Sequence, residues 1–278
     1  MKKLKVLLLG IAFLFFLYLF VYPWFIPIDY LKRENPKITA MMKYRMKQWE
    51  REGKKIKIKQ IWLPLSQVSP YLIKAVLIAE DDNFFKHEGF DFDAIEKAIE
   101  ANLKAGKIKY GGSTISQQTV KNLFLSPSKN PIRKIHEAFL TYRLERTLSK
   151  KRILEIYLNI AEWGEGIFGI EAASRYYFKK SALSLTAWES ARLAAVLPNP
   201  LKYNPLSNQK YVERRTKIIY NIMKQRNIIK EEYREMENEI YDKDEKTSLS
   251  EPTDQSNLTE TSKPSSEQTD NAESAPLR

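Results

Sequence analysis

The sequence predicts a mainly α-helical domain behind a single N-terminal membrane-spanning helix, and three observations carry that prediction. Residues 6–28 form a run of 23 positions without a formal charge, preceded by Lys2, Lys3 and Lys5. Between about residues 60 and 235, helix-start residues alternate with apolar helical stretches and short glycine or proline loops, the pattern of a packed helical domain. Beyond that, residues 236–278 are rich in Ser, Thr, Glu, Asn and Pro, too poor in large apolar side chains to form a core, and are expected to be a disordered acidic tail.

At about 1.5 Å per residue, the uncharged run reaches roughly 34 Å, enough to cross a hydrocarbon core of about 30 Å. Its lysine leader, residues 1–5, favours a cytoplasmic N-terminus, with Tyr18, Tyr22 and Trp24 as an aromatic belt at the far interface. The segment Tyr22-Pro23-Trp24-Phe25-Ile26-Pro27 offers no small-residue cleavage site, so an uncleaved anchor is expected over a signal peptide. Residues 29–59 read as a basic connector with a helix around Ile38 to Glu50, and Ile56, Ile58 and Ile61 suggest a short strand or extended segment ending near Pro64. Ser69-Pro70 pairs a capping residue with proline at the first helical position and opens a helix through Ala79. Asp91 or Asp93 caps the next, and Ser113 or Thr114 a third to Phe124. Asn130-Pro131 opens a long helix to Leu148 whose apolar stripe is Ile132, Ile135, Phe139 and Tyr142, and Ser149 caps one to Asn159. Further helices are expected over Gly169–Tyr177, Thr186–Val196 and Gln209–Arg226.

Composition narrows the chemistry. The chain has no cysteine, which excludes disulfides, thiolate nucleophiles and thiolate metal sites, and its two histidines make a His-rich metal centre improbable. Carboxylates remain as the acid/base groups. The formal charge of +12 points to acidic partners, and it is unevenly spread: residues 241–278 hold 9 acidic and 4 basic residues, so the excess of cations lies in the rest of the chain.

Three places break local rules. The helix through Ala79 ends in Glu80, Asp81 and Asp82, acidic groups that oppose the helix dipole and crowd one another; such crowding raises a carboxyl pKa, as a general base near neutral pH requires. The competing reading is a solvated acidic helix end, with His87 as a structural hydrogen-bonder. Gly111-Gly112-Ser113-Thr114 precedes a helix bearing Gln117, Gln118, Lys121 and Asn122, a candidate anion site made of helix-start amides, hydroxyls and a polar, basic face. The bland alternative is an ordinary capped helix. The next helix puts Arg133 and Lys134 in its first turns, where the dipole disfavours cations, and a phosphate held with Lys129 and Lys121 would relieve the conflict. Glu137 shares their face, either as an ordinary intrahelical pair or as a second functional carboxylate.

These residues resemble a known family. Glu80-Asp81-Asp82-Asn83-Phe84-Phe85-Lys86-His87-Glu88-Gly89 is similar to the first motif of the peptidoglycan glycosyltransferases, and Gly111 to Gln118 to the second. Arg133 to Glu137 resembles the third, Lys151 to Asn159 the fourth, and Arg192 to Ala194 with Leu197 to Pro200 the fifth. Asn159 to Gly166 looks like the monofunctional branch of that family. The resemblance implies a lysozyme-like fold with a membrane-dipping lobe, polymerising lipid II into glycan strands outside the inner membrane. It implies Glu80 as the general base on an acceptor hydroxyl, with inversion at the donor's anomeric carbon. Glu137, Lys121, Lys129, Arg133 and Lys134 would serve the departing undecaprenyl pyrophosphate, directly or through a divalent cation, Mg or Mn; no metal ligands in the chain itself are proposed. Ser113, Thr114, Gln117, Gln118 and Asn122 would complete the substrate site. Partners implied are lipid II, the growing glycan strand and the membrane, with room for other cell-wall synthesis or division proteins and none for nucleic acid. Two departures stand out: Ser116 replaces the commoner threonine, keeping the hydroxyl, and Lys129 stands where arginine is usual, losing a bidentate fork. A lytic hydrolase of the same fold would need an acid and no basic cradle. A cationic, non-enzymatic wall adaptor would not need the carboxylates.

Overall fold

The computed structural model describes residues 2–106, 111–127 and 130–229; the expected tail at 236–278 lies outside them. The chain starts with α1 (Lys2–Phe16), widens into a π turn at Leu17–Val21 and tightens into a 3-10 turn at Tyr22–Phe25, where Pro23 has no N–H to give to a regular helix. Lys2–Lys32 is the run among the described residues that is long and apolar enough to cross a membrane.

α2 (Ala40–Arg51) starts on Thr39, whose side chain accepts from the Met42 N–H. It buries Met42 and Trp49 against Phe168. Of the strand expected around Ile56–Ile61, only β1 (Lys59–Gln60) forms. β1 runs parallel to β3 (Ile167–Phe168), which pairs antiparallel with β2 (Glu162–Gly164). The two later strands had no sequence expectation; three residues or fewer are too short to show an alternating pattern.

The helices follow the capping signals closely. α4 (Phe92–Ala105) is capped by Asp91, α5 (Ile115–Phe124) by a Thr114/Gln117 capping box, α6 (Pro131–Thr147) by Asn130 and α7 (Lys150–Ile160) by Ser149. α8 (Ile170–Phe178), α9 (Ala187–Val196), opened by a Thr186/Glu189 capping box, and α10 (Lys210–Gln225) complete the set. α3 (Pro70–Glu80) forms as expected, but Ser69 does not cap it with its side chain. That hydroxyl is buried and instead donates to the Leu185 carbonyl oxygen at 2.9 Å, tying the start of α3 to the loop before α9. α3 packs on α9 and α10, and α5 on α6 and α7, around one apolar core.

The stripe expected on α6 needs correction. Ile135 and Tyr142 are exposed, whereas His136, Glu137, Leu140, Thr141 and Leu144 are buried. Of the expected stripe, Phe139 meets the anchor: its ring and that of Phe20 are 5.6 Å apart, edge to face. His136 donates to the Tyr18 carbonyl oxygen at 3.1 Å, and Arg143 donates to those of Pro23 and Ile26 at 2.6 and 3.0 Å while lying over the Trp24 ring. Tyr18, Tyr22 and Trp24 therefore dock the anchor on α6 while leaving about half of each residue exposed, 49%, 50% and 52%. The stretch read as a connector also joins the fold, since Leu31 belongs to the main core, as does Ile28 at the end of the uncharged run.

Candidate functional site

The three carboxylates that close α3 part company as soon as the chain folds. Asp81 is buried, accepts from the Ile115 N–H at 2.9 Å and receives His87 Nε2–H at 3.0 Å. His87 Nδ1 accepts from the Gly89 N–H at 3.0 Å, so its tautomer follows from its partners and its role is structural. Gly89 has φ +97°, and a Cβ there would meet Thr141 Cγ2 at 2.9 Å, so the turn that aims His87 tolerates glycine alone. Asp82 forms a two-armed pair with Arg226 at 2.5 and 2.7 Å.

Glu80 is left facing a cleft. Its side chain is 11% exposed; Oε2 accepts from Gln118 Nε2 at 2.9 Å, and Oε1 lies 3.3 Å from a guanidinium nitrogen of Arg215, which also donates to the Ala79 carbonyl. Burial pushes the Glu80 carboxyl pKa up against the pull of Arg215, Gln118 and Lys121. The crowding expected from Asp81 is a lesser cause than burial, because Asp81 spends its charge on the start of α5. The cleft holds about 250 Å³ and is lined by Glu80, Gly112, Ser113, Gln118, Tyr211 and Arg215 among others. Gly112 is needed at its wall, where a Cβ would come to 3.0 Å from the Ile95 backbone.

The start of α5 is not the open anion site that the sequence suggests. Thr114 Oγ1 accepts from the Gln117 N–H, Gln117 Oε1 accepts from the Thr114 N–H, and Asp81 takes the Ile115 N–H, so the anion at this helix start is the chain's own carboxylate. Thr114 and Gln117 thus build the loop, Asn122 is buried in the helix, Gln118 hydrogen-bonds Glu80, and the Lys121 charge lies within electrostatic reach of it. Ser113 stays at the cleft rim, 3.4 Å from the Lys134 ammonium.

On α6 the second carboxylate is held where the sequence put it, but deep. Glu137 is buried and receives Arg133 at 2.6 Å and, on its other oxygen, Lys134. Lys121 lies within electrostatic reach of Glu80 and Glu137; burial holds its ammonium pKa below the usual lysine value, while the two carboxylates oppose that shift. Lys129 lies outside the described residues. Because Arg133 and Lys134 already occupy both Glu137 oxygens, and no three carboxylate or imidazole groups converge among the described residues, the side chains do not make a divalent-cation site.

Arg215 has no signal in the sequence, and Tyr157 lies in the Lys151–Asn159 motif with no role assigned to it there. Arg215 reaches Glu80 from 135 residues away, and Tyr157 donates to Gln118 Oε1 at 3.3 Å. Neither sits beside a broken local rule, and no spacing ties them to Glu80.

Residues 48–224 match a family model described as Transglycosylase. The chain is 48% identical over 214 residues to a biosynthetic peptidoglycan transglycosylase of Nitrosospira multiformis, covering 76% of this chain and 93% of that one. To the protein of the same description from Chromobacterium violaceum it is 47% identical over 196 residues, 70% of this chain and 86% of that one. Among solved structures, penicillin-binding protein 1A from Haemophilus influenzae aligns with 64% of this chain and 17% of its own, at 23% identity and a TM-score of 0.36.

Proposed function

Because the chain belongs to the transglycosylase family and is thereby a peptidoglycan glycosyltransferase of cell-wall synthesis, we propose that it polymerises lipid II into glycan strands with Glu80 as general base. The observation that carries this reading is a largely buried carboxylate of raised proton affinity facing a cleft whose rim residue Ser113 lies 3.4 Å from the Lys134 ammonium.

In the proposed reaction, ionised Glu80 takes the proton of the acceptor sugar hydroxyl as that oxygen bonds to the donor's anomeric carbon from the face opposite the leaving group. The bond from that carbon to the pyrophosphate oxygen breaks, and its electron pair leaves with the undecaprenyl pyrophosphate, inverting the centre. Lys121, Arg133 and Lys134 meet the developing negative charge, and Glu137 holds the last two in place.

The membrane fits this reading. His136 and Glu137 are adjacent on α6, so the helix that docks the anchor also carries the pyrophosphate group's cations. We place residues 1–5 in the cytoplasm, 6–28 in the inner membrane and the catalytic domain outside it, with 29–59 leading into a domain over 60–235 and a tail over 236–278. α4 exposes Phe92, Ile99 and Leu103, an unpartnered apolar face suited to dipping into the bilayer beside the cleft wall at Gly112. The test is purified full-length protein incubated with lipid II in detergent, with glycan length read on a gel. Polymer is expected from the wild type; hydrolysis of preformed strands in its place would make the chain a lytic enzyme.

A further inference from the structure

We infer that Tyr157 is a positioning residue for the base: its hydroxyl fixes which end of the Gln118 side-chain amide meets Glu80. The geometry is a short relay across three helices. Tyr157 on α7 donates to Gln118 Oε1 on α5 at 3.3 Å, and Gln118 Nε2 donates to Glu80 Oε2 at the end of α3 at 2.9 Å.

An amide has two ends of nearly equal shape, one a donor and the other an acceptor, so packing alone cannot choose between them. Turned round, Gln118 would set its carbonyl oxygen against an ionised carboxylate, and would suit only the protonated acid. Tyr157 removes that option. It is 1% exposed, and the Gln118 oxygen is the acceptor its O–H finds; a turned amide would present NH₂ and orphan a buried donor. The same bond polarises the amide and strengthens the N–H that reaches Glu80. Gln118 is thus locked as a donor, which favours the ionised form that a base requires.

The other charged and titratable groups facing Glu80 are Arg215 and Tyr211 from α10, Lys121 from α5 and Asp81 from its own helix end. None of them contacts the Gln118 oxygen, so the effect of the Tyr157 hydroxyl can be isolated. Burial raises the Glu80 pKa and the Gln118 bond lowers it. Loss of the lock should therefore raise it further.

This inference rests on the reading of Glu80 as base only for its kinetic consequence, and the experiment separates the two. Full-length protein in detergent micelles, labelled with ¹³C-glutamate, is titrated with the Glu80 carboxyl signal assigned by its loss in Glu80→Gln; turnover of lipid II is measured over the same pH range. In Tyr157→Phe, which keeps the ring volume, the Glu80 titration and the acid limb of kcat are expected to move up together by about one unit, a roughly tenfold slower rate on that limb. In a Gln118→Met background the Tyr157→Phe change should move neither. An unmoved Glu80 titration in Tyr157→Phe overturns the inference, whatever happens to the melting temperature. An equal shift in both backgrounds also overturns it, because Tyr157 would then act on Glu80 without Gln118. A shifted titration with an unmoved rate profile upholds the positioning role and removes Glu80 as the base.

Discussion

Glu80 is stabilised in its neutral form, and this has a thermodynamic sign. Its folded pKa lies above the usual 4.5, so the stability it contributes is full below the unfolded pKa and is lost as pH rises through the folded value. Glu80→Gln is therefore expected to abolish glycan synthesis while melting no lower than wild type at neutral pH, and to flatten the pH dependence of melting above about pH 4.5. A folded Glu80→Gln variant that still polymerises would remove the base. The wild-type acid limb should lie above the ordinary carboxylate range. Glu137 makes a different prediction, because it is a buried carboxylate between two cations and not the surface pair that local spacing would suggest. Glu137→Gln should cost roughly 1–3 kcal/mol of stability by leaving Arg133 and Lys134 without their carboxylate. It should also cut turnover by about a hundredfold, roughly 2.7 kcal/mol of transition-state stabilisation. Glu137 also helps keep Lys121 charged, so its loss should move the alkaline limb of the rate profile to lower pH. Turnover within a few-fold of wild type and an unmoved limb would return Glu137 to a structural role.

Among the elements, the membrane contacts proposed for α4 and α6 differ in kind. α4 is capped by Asp91 and buries only Ala94 and Ala98 fully, leaving Phe92 and Leu103 about three-quarters exposed, at 74% and 76%. Replacing both by serine removes little packing, so stability should stay within about 0.5 kcal/mol. If this face sits in lipid, the double variant should turn over bilayer-embedded lipid II several-fold more slowly while keeping its rate in detergent. Equal rates in vesicles would show that the face has no bilayer role. α6 was legible as a helix from Asn130-Pro131, yet its buried face was not. Of its expected stripe Phe139 meets the anchor while Ile135 and Tyr142 are exposed, and its core face is built partly of His136, Glu137 and Thr141, polar residues that sequence patterning assigns to solvent.

For the whole molecule, the uncharged run and the lysine leader carry the proposal of one crossing with the C-terminus outside. A reporter enzyme fused after Arg278 should be active only outside the cytoplasm, and cytoplasmic activity would overturn the N-in orientation. The foot of the anchor is bound to the domain through His136 and Arg143, and Ile28 and Leu31 lie in the core. The span and the cleft are therefore fixed relative to each other through α6.

The sequence by itself determined what local physics controls. Capping residues at Asn130, Ser149 and Thr186 set helix starts because a cap bonds within three residues of itself, and the folded chain chose Asp91 over Asp93 and Thr114 over Ser113. The conflicts with the helix dipole at Glu80 and at Arg133-Lys134 marked the two halves of the candidate site for the same reason. Tertiary structure alone decided which groups are free to act. Asp81, expected to press on Glu80, is consumed by the Ile115 amide and His87, and that same amide is lost to any external anion. Arg215 and Tyr157 reach the Glu80–Gln118 pair from α10 and α7. Their hydrogen bonds close over tens of residues or more, a separation that no periodicity or spacing encodes, and burial, which sets the proton affinity of Glu80, exists only once those helices have packed.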